Sequence, residues 1–237
     1  MIPTSIKAFR HLSVCFFVKG ENCGRYTSFK PGGNRMHVVP ATDEYIPLGI
    51  HFLKKGAVVV LPTDTLYGVC ADALNYRAVE KIFELKHRRP NKPLIVLTPS
   101  VEWIKNFFFV KEIPPSAEKL LNAPYPVSVI LPVEGFDWIS RATGTIAFRV
   151  VKRGFIKQFL EAYGRPIVAP SANWEGFPPA RDPFQALLYF GNGVSVYYNG
   201  GVLKGEPSAV VEVKGKTLSV LRRGRIPEKV LQELLKT

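Results

Sequence analysis

Short apolar runs alternate with amphipathic segments along this chain, and the alternation predicts its secondary structure. Residues Ala57–Leu61 form a continuous apolar, β-branched run, which is typical of a strand buried on both faces of a sheet. Similar runs predict further strands at Leu94–Leu97, Val127–Leu131, Thr145–Val150, Pro166–Ala169, Val194–Tyr198, Ala209–Val213 and Leu218–Leu221.

Helical spacing separates these runs. From Thr42, a suitable N-cap, the apolar residues Ile46, Ile50 and Leu53 recur at helical intervals until Gly56. Further helices are predicted at Arg77–Leu85, Trp103–Phe109, Ser116–Leu121, Phe155–Tyr163, Asp182–Phe190 and Pro227–Lys236. Because helices and strands interleave and the last strands are close neighbours, the sequence predicts an α/β domain with a mixed sheet.

Residues 1–40 differ in charge from the rest of the chain, with six Lys or Arg and a single acid, Glu21. The apolar run Leu12–Val18 follows two cations as the core of a signal peptide does, and an acid-poor basic start is also typical of an organelle transit peptide. Met36 is in addition a candidate start of the folded unit. We favour a basic appendage over residues 1–40 and one folded domain over residues 41–237.

The composition fits a domain with an ordinary core, since 46% of the 237 residues are hydrophobic. No stretch of about 18 apolar residues occurs, so no membrane span is expected. A net charge of +13 favours anionic partners such as nucleotides, phosphates or RNA. The three cysteines match neither a zinc site nor a disulfide framework, and a cytoplasmic location is therefore expected.

Common nucleotide-binding motifs are missing: the sequence has no Gly-x-x-x-x-Gly-Lys-Ser/Thr loop and no Gly-x-Gly-x-x-Gly. Polar residues instead follow the predicted strands, where ligands of open α/β sheets usually bind. Thr63–Tyr67 follows the strand at Ala57–Leu61, and Ser171–Asn173 follows the strand at Pro166–Ala169. The residue types in both segments are also common in ordinary turns.

Four cations lie close together at Lys86, Arg88, Arg89 and Lys92. Such a run is often a solvated face, but fixed cations repel one another, and a polyanion such as a triphosphate relieves that repulsion. Single candidates, each as often structural as functional, are Thr145, Arg149, Arg181, Ser208 and Arg222.

Taken together, these segments resemble the YrdC-like threonylcarbamoyl-AMP synthase family in its single-domain form. The matching motifs are Pro62–Gly68, Lys86-x-Arg88 followed by Lys92-Pro93-Leu94, Gly144–Arg149, Ala169–Asn173, Pro207–Val211 and Leu221-Arg222-x-Gly224. Their order and rough spacing hold from about Thr42 to Ile226, which is most of the chain.

The resemblance implies a twisted, open mixed sheet with flanking helices around a basic concave cavity, formed by a catalytic domain over residues 41–237. It also implies a nucleotidyltransferase that condenses L-threonine, bicarbonate and ATP to threonylcarbamoyl-AMP and pyrophosphate. The product serves the t6A modification of tRNA, so a transferase complex is an implied partner. Mg²⁺ would accompany the ATP and would not be held by protein side chains alone.

Residue roles follow from the same resemblance. Lys86 and Arg88 are the implied catalytic residues. The implied ATP ligands are Arg88, Lys92, Thr145, Asn173, Arg181 and Arg222, with Lys86 on the same phosphates. The implied threonine ligands are Thr65, Arg149, Ser171 and Ser208.

The chain departs from the family pattern at several positions. Pro124–Ser128 carries a tyrosine where the family usually has a glycine between two prolines, and a serine where it has a threonine. Leu97 stands where some members have a histidine near threonine, Ala209 replaces a frequent threonine, and Glu175 replaces a frequent serine.

Two other functions compete with the enzyme. A non-catalytic RNA-binding or ribosome-associated protein would use the positive charge to grip phosphates. A carbamoyl-adenylate-forming domain of hydrogenase-maturation proteins is disfavoured, since the sequence shows no acylphosphatase or zinc-finger segment. The Gly- and Pro-rich stretch Trp174–Pro183 is a candidate lid over the site.

Overall fold

A computed structural model describes residues 15–16, 36–214, 217–224 and 226–235. The strands in these residues are β1 (Cys15–Phe16), β2 (His37–Pro40), β3 (Val59–Pro62), β4 (Tyr67–Asp72), β5 (Ile95–Thr98), β6 (Val127–Pro132), β7 (Thr145–Val150), β8 (Ile167–Val168), β9 (Val196–Asn199), β10 (Ala209–Lys214) and β11 (Thr217–Arg222). They form one sheet in the order β1-β2-β9-β3-β4-β8-β5-β7-β6-β10-β11. Parallel pairs such as β5–β7 and antiparallel pairs such as β3–β4 both occur, which confirms the predicted mixed sheet.

The helices cover both faces of this sheet. They are α1 (Ile46–Lys54), α2 (Tyr76–Lys86), α3 (Val101–Phe108), α4 (Pro115–Asn122), α5 (Asp137–Ser140), α6 (Phe155–Tyr163), α7 (Pro183–Phe190) and α8 (Glu228–Leu235). Val60 of β3 packs in one core cluster with residues of α2, and its neighbour Val59 packs in the other with residues of α1 and α6. Successive strand residues point to opposite faces, so β3 is buried on both sides as its sequence predicts.

Two strand pairings near the amino end differ from the sequence expectation. β4 was not predicted as a strand; four residues separate it from β3, with which it pairs antiparallel. β2 lies within residues 1–40, the range assigned to the appendage, yet it pairs with β9 and its Val38 and Val39 are buried. Residues 36–40 therefore belong to the sheet. Except for Cys15–Phe16, the rest of the predicted appendage lies outside the described residues.

The first helix starts later than the sequence suggests. A 3₁₀ turn at Asp43–Tyr45 precedes α1, and the side chain of Thr42 makes no capping hydrogen bond. Pro47 lies in the first turn of α1, where its missing N–H is tolerated. Within the described residues, no helix has the length and apolar character that crossing a membrane requires.

Candidate functional site

The Lys86 side chain joins two of the polar segments that the sequence singled out. It lies at the last position of α2 and is only 2% exposed. Its Nζ donates to the carbonyl oxygens of Ser171, at 2.5 Å, and Asn173, at 2.7 Å, and to Asn173 Oδ1 at 3.3 Å. The basic run and the Ser171–Asn173 segment therefore meet at Lys86.

Burial also changes the acidity of Lys86. Removal from water, and then the nearby charge of Arg88, lower the pKa of the Lys86 ammonium to about 7, although Glu175 opposes the shift. The charged form of Lys86 is thus less stable in the ligand-free protein than in water, and a bound anion would stabilise it. Burial likewise lowers the pKa of Arg88.

The loop after α2 turns one of its cations, Arg88, back onto its own backbone. His87 ends the helix in the left-handed conformation, at φ 48°. Arg88 then donates from Nε to the carbonyl oxygen of Lys92, at 3.3 Å, and from Nη2 to that of Pro93, at 2.8 Å. These contacts hold the Arg88 guanidinium beside Lys86, while Lys92 forms an ion pair with Glu175.

Ser171 and Asn173 form a local turn as well as part of the lysine site. Ser171 Oγ donates to Asn173 Oδ1 at 2.6 Å, and Asn173 Nδ2 donates to the carbonyl oxygens of Trp174 and Phe177. The turn is attached to β4, because the Ala172 N–H donates to the Tyr67 carbonyl oxygen. The segment is therefore a polar turn, as one sequence interpretation had it, and the same turn also contacts Lys86.

Arg149 lies in β7 and is 4% exposed. Its Nη2 forms an ion pair with Asp64 Oδ1 at 3.0 Å, whereas its buried Nε finds no hydrogen-bond partner among the described residues. Thr65, adjacent to Asp64, is also buried, and its Oγ1 lies 3.1 Å from Thr63 Oγ1. The sequence indicated Arg149 and Thr65 but considered Asp64 only as part of a turn, since a residue eighty-odd positions away gives no local signal.

Ser208 and Arg222 meet at the β10–β11 edge of the sheet, where only β6 lies between β10 and the strand of Arg149, β7. Arg222 donates from Nε to the Ser208 carbonyl oxygen, at 2.8 Å, and from Nη2 to Ser208 Oγ, at 3.2 Å. Burial, followed by the charge of Arg149, lowers the pKa of Arg222, so the two guanidinium groups face a common region. Ser208 Oγ also lies 2.9 Å from Oγ of Ser128, which the sequence showed only as a departure from a family threonine.

The last two candidate residues are more peripheral. Thr145 starts β7 and its Oγ1 lies 3.0 Å from Oγ1 of Thr143. Arg181 is exposed; its backbone N–H donates to Gln185 Oε1 and its carbonyl oxygen accepts from Leu203. Thr145 thus lies on the strand that holds Arg149, whereas Arg181 lies just before α7, a helix that holds no other candidate.

The predicted lid is attached to the site at several points. The Glu175 N–H donates to the Lys86 carbonyl oxygen, the Ala180 N–H donates to that of Ala172, and Tyr189 donates its hydroxyl hydrogen to the carbonyl oxygen of Pro178.

A cavity of about 400 Å³ lies beside the Thr63–Asp64 turn, and Gly200 and Leu203 also line it. Among the described residues, no three His, Cys, Asp or Glu side chains are grouped to share a metal ion.

Comparison with known proteins identifies relatives of this chain. The family model of the Sua5/YciO/YrdC domain, described as "Telomere recombination", matches residues 51–224. A threonylcarbamoyl-AMP synthase of Pyrococcus abyssi is 32% identical over 198 residues, which are 80% of this chain and 58% of that protein. A putative threonylcarbamoyl-AMP synthase of Mycobacterium tuberculosis is 32% identical over 188 residues, with 77% and 85% of the two chains covered.

A solved structure agrees with these relatives. The crystal structure of P. abyssi Sua5 complexed with L-threonine superposes with a TM-score of 0.77 at 30% identity, covering 85% of this chain and 60% of that one. This chain therefore spans somewhat less than two thirds of the P. abyssi protein in both comparisons. The range that the family model matches, residues 51–224, includes every motif on which the sequence resemblance rests.

Proposed function

The chain belongs to the Sua5/YciO/YrdC family, and from this premise we propose that it is an L-threonylcarbamoyladenylate synthase. The proposed reaction condenses L-threonine, bicarbonate and ATP to threonylcarbamoyl-AMP and pyrophosphate, which is a nucleotidyl transfer. The contact of Lys86 with Ser171 and Asn173 supports it most strongly, because it places a buried cation, the proposed phosphate ligand, against the segment that carries a proposed threonine ligand, Ser171, and a proposed ATP ligand, Asn173.

The proposed chemistry needs positioning and charge more than a nucleophilic side chain. The threonine amine first bonds to the carbon of bicarbonate, whose C–OH bond breaks so that the hydroxyl and an amine proton leave as water. An oxygen of the resulting carbamate then bonds to the α-phosphorus of ATP while the bond from that phosphorus to the pyrophosphate leaving group breaks. Lys86, Arg88 and Lys92 would stabilise negative charge on the phosphates as this exchange proceeds. Thr145, Asn173, Arg181 and Arg222 are the further proposed ATP ligands.

The threonine side of the proposed site centres on Arg149. A guanidinium pairs bidentately with a carboxylate, and Arg149 keeps its Nε without a partner among the described residues while Asp64 holds Nη2. Thr65, Ser171 and Ser208 are the proposed hydroxyl ligands. P. abyssi Sua5 was crystallised with L-threonine, which is the ligand proposed here for this chain.

Mg²⁺ is proposed as part of the substrate. The two carboxylates that belong to the site, Asp64 and Glu175, are both engaged with cationic side chains, so the triphosphate oxygens are the better ligands for the ion. When bound, Mg²⁺ would neutralise part of the phosphate charge. The acyl-adenylate product is then passed to the transferase machinery of tRNA t6A formation in the cytoplasm.

The test is threonine-dependent release of pyrophosphate from ATP, Mg²⁺ and bicarbonate. The wild-type protein should release pyrophosphate only when all substrates are present. Lys86→Ala should abolish release because it removes the central ammonium, while Lys157→Ala, which removes a surface cation paired with Glu161, should leave it unchanged. Tight, salt-sensitive RNA binding without any pyrophosphate release would favour the non-catalytic alternative instead.

A further inference from the structure

The Glu175 carboxylate collects several cationic and N–H donors of the loop after α2. Its Oε2 accepts from the Arg89 backbone N–H at 2.7 Å, and its Oε1 accepts from Lys92 Nζ and lies 3.5 Å from Arg89 Nε. The hydrogen bonds from Lys92 and from the Arg89 N–H hold the pKa of Glu175 well below its usual range. The carboxylate is therefore ionised and bound at neutral pH.

An ammonium, a guanidinium and a backbone N–H converging on two oxygens are the donors that bind a phosphate group. Lys92 is also a proposed ligand of the ATP phosphates. The Glu175 carboxylate thus occupies donors that a bound polyphosphate would use. The carboxylate and the polyphosphate therefore compete for at least one of them, Lys92.

Glu175 is fixed in this position by the rest of the site. Its N–H donates to the carbonyl oxygen of Lys86 at 2.8 Å, and it follows Asn173 by two residues. Its negative charge raises the pKa of Lys86 and of Arg88, against the effect of burial. It therefore offsets the mutual repulsion of the cations when no anionic ligand is bound.

We propose that Glu175 is a positioning residue that holds the cations of the ligand-free site in place and lowers the affinity of the site for polyphosphates: its carboxylate takes the place of a ligand phosphate on Arg89 and Lys92, and a triphosphate must displace it. This inference rests on the proposed function for the identity of the nucleotide, ATP. The competition itself requires only that the ligand carries several phosphates. A ligand with one phosphate has too little charge to replace the carboxylate contacts, whereas a triphosphate more than replaces them.

The proposal predicts effects of opposite sign on stability and on binding. Replacing Glu175 leaves the cations of the ligand-free protein unscreened, so the free energy of unfolding should fall. The same replacement removes the competing anion, so polyphosphate binding should tighten. A side chain that only supported the local structure would lower both quantities, which makes the pair of signs diagnostic.

The experiment compares Glu175→Gln and Glu175→Ser with Glu161→Gln, which removes one acid from the exposed ion pair with Lys157 on α6. Calorimetry at constant ionic strength measures binding of MgATP, of AMP and of inorganic tripolyphosphate, and urea unfolding measures stability. Steady-state kinetics separate KM for ATP from KM for threonine.

Both Glu175 variants should bind MgATP and tripolyphosphate about threefold to tenfold more tightly than the wild type, the size expected for one partly exposed charge contact. AMP affinity and KM for threonine should hardly change, and the variants should unfold at lower urea. Glu161→Gln should match the wild type. Equal or weaker polyphosphate binding by both Glu175 variants overturns the proposal.

Failure of the proposed function gives a different result. If tripolyphosphate binding tightens in the Glu175 variants but no variant makes a threonine-dependent product, the carboxylate competes with polyanions and the synthase assignment is wrong. If the wild type makes product but its affinity for polyphosphates is unaffected by the substitutions, the synthase assignment stands and the role of Glu175 is wrong.

Discussion

Lys86 holds an amino group where water hardly reaches, and this sets the pH response of the site. Burial and Arg88 lower its pKa to about 7, so above that pH the ligand-free protein increasingly carries a neutral amine. A bound triphosphate favours the ammonium instead. The complex therefore binds more protons at Lys86 than the free protein does above pH 7.

From this difference we predict that ATP binding takes up a proton at pH 8 and weakens as the pH rises from 7.5 to 9, by at most about tenfold per pH unit. Calorimetry in two buffers with different ionisation enthalpies measures the proton uptake. Lys86→Arg, whose guanidinium stays charged, should bind ATP without taking up a proton. Affinity that is constant over this pH range in the wild type would show that Lys86 is charged throughout.

Arg149 carries a separate prediction for the amino acid. Lys at this position keeps the positive charge for Asp64 but loses the planar fork that pairs with a carboxylate. Arg149→Lys should therefore raise KM for threonine about tenfold or more, with a much smaller change in KM for ATP. Initial rates at varied threonine and varied ATP separate the two constants; an equal rise in both would place Arg149 outside a dedicated threonine site.

At the scale of elements, the end of β11 is fitted closely against the start of β10. Gly224 has φ 62°, and a Cβ at this position would lie 2.3 Å from the Ala209 nitrogen and 2.5 Å from the Ser208 carbonyl carbon. Only glycine allows this approach without a shift of the backbone. The Leu-Arg-x-Gly motif thereby brings Arg222 onto Ser208.

We predict that Gly224→Ala displaces this contact. Gly164→Ala is the matched control, because Gly164 also has positive φ, 72°, but nothing lies within 4 Å of the added Cβ. In the Gly164→Ala control, the free energy of unfolding measured in urea should fall by only about 1 kcal/mol, the conformational cost of alanine at positive φ. Gly224→Ala should lose more stability and should also weaken threonine binding; equal losses and unchanged binding would contradict the assigned role of the contact.

Elements with a strong local pattern were predicted closely from the sequence. β7 and α6 have the bounds that their apolar spacing indicated, because each is amphipathic or buried over its whole length. β4 was missed since only the short Thr63–Leu66 turn separates it from β3, and Thr63 Oγ1 closes that turn by accepting from the N–H groups of Thr65 and Leu66.

The candidate site was predictable as a set of segments but not as a set of contacts. The residues alone indicated Lys86 and Ser171–Asn173 as separate candidates, and only the family resemblance placed them in one pocket; the structure brings them into contact. The sequence did not indicate that Asp64 pairs with Arg149 or that Glu175 binds Lys92. These pairs join residues distant in the chain, and the charge pattern does not specify which acid meets which base.

For the whole molecule, the sheet extends into the range that the sequence assigned to the amino-terminal appendage. Met36, Val38 and Val39 are buried, and β2 is hydrogen-bonded to β9. The free energy of unfolding should therefore depend on residues 36–40 far more than their position near one end suggests.

A pair of truncations tests this dependence. A chain that begins at Ala41 loses three buried apolar side chains, each worth about 1.5–3 kcal/mol, and should lose several kcal/mol of stability or fail to fold. A chain that begins at Met36 keeps them and should unfold at nearly the same urea concentration as the full chain. Equal stability of the two truncated chains would show that β2 contributes little to the domain.

The central claim is that the whole domain makes an acyl-adenylate, and the product itself is the most direct evidence. The protein should be incubated with ATP, Mg²⁺, L-threonine and ¹³C-labelled bicarbonate, and the nucleotides analysed at once by mass spectrometry. The expected product is threonylcarbamoyl-AMP that carries one ¹³C atom and is absent without threonine. ATP binding with no such adenylate at any threonine concentration would contradict it.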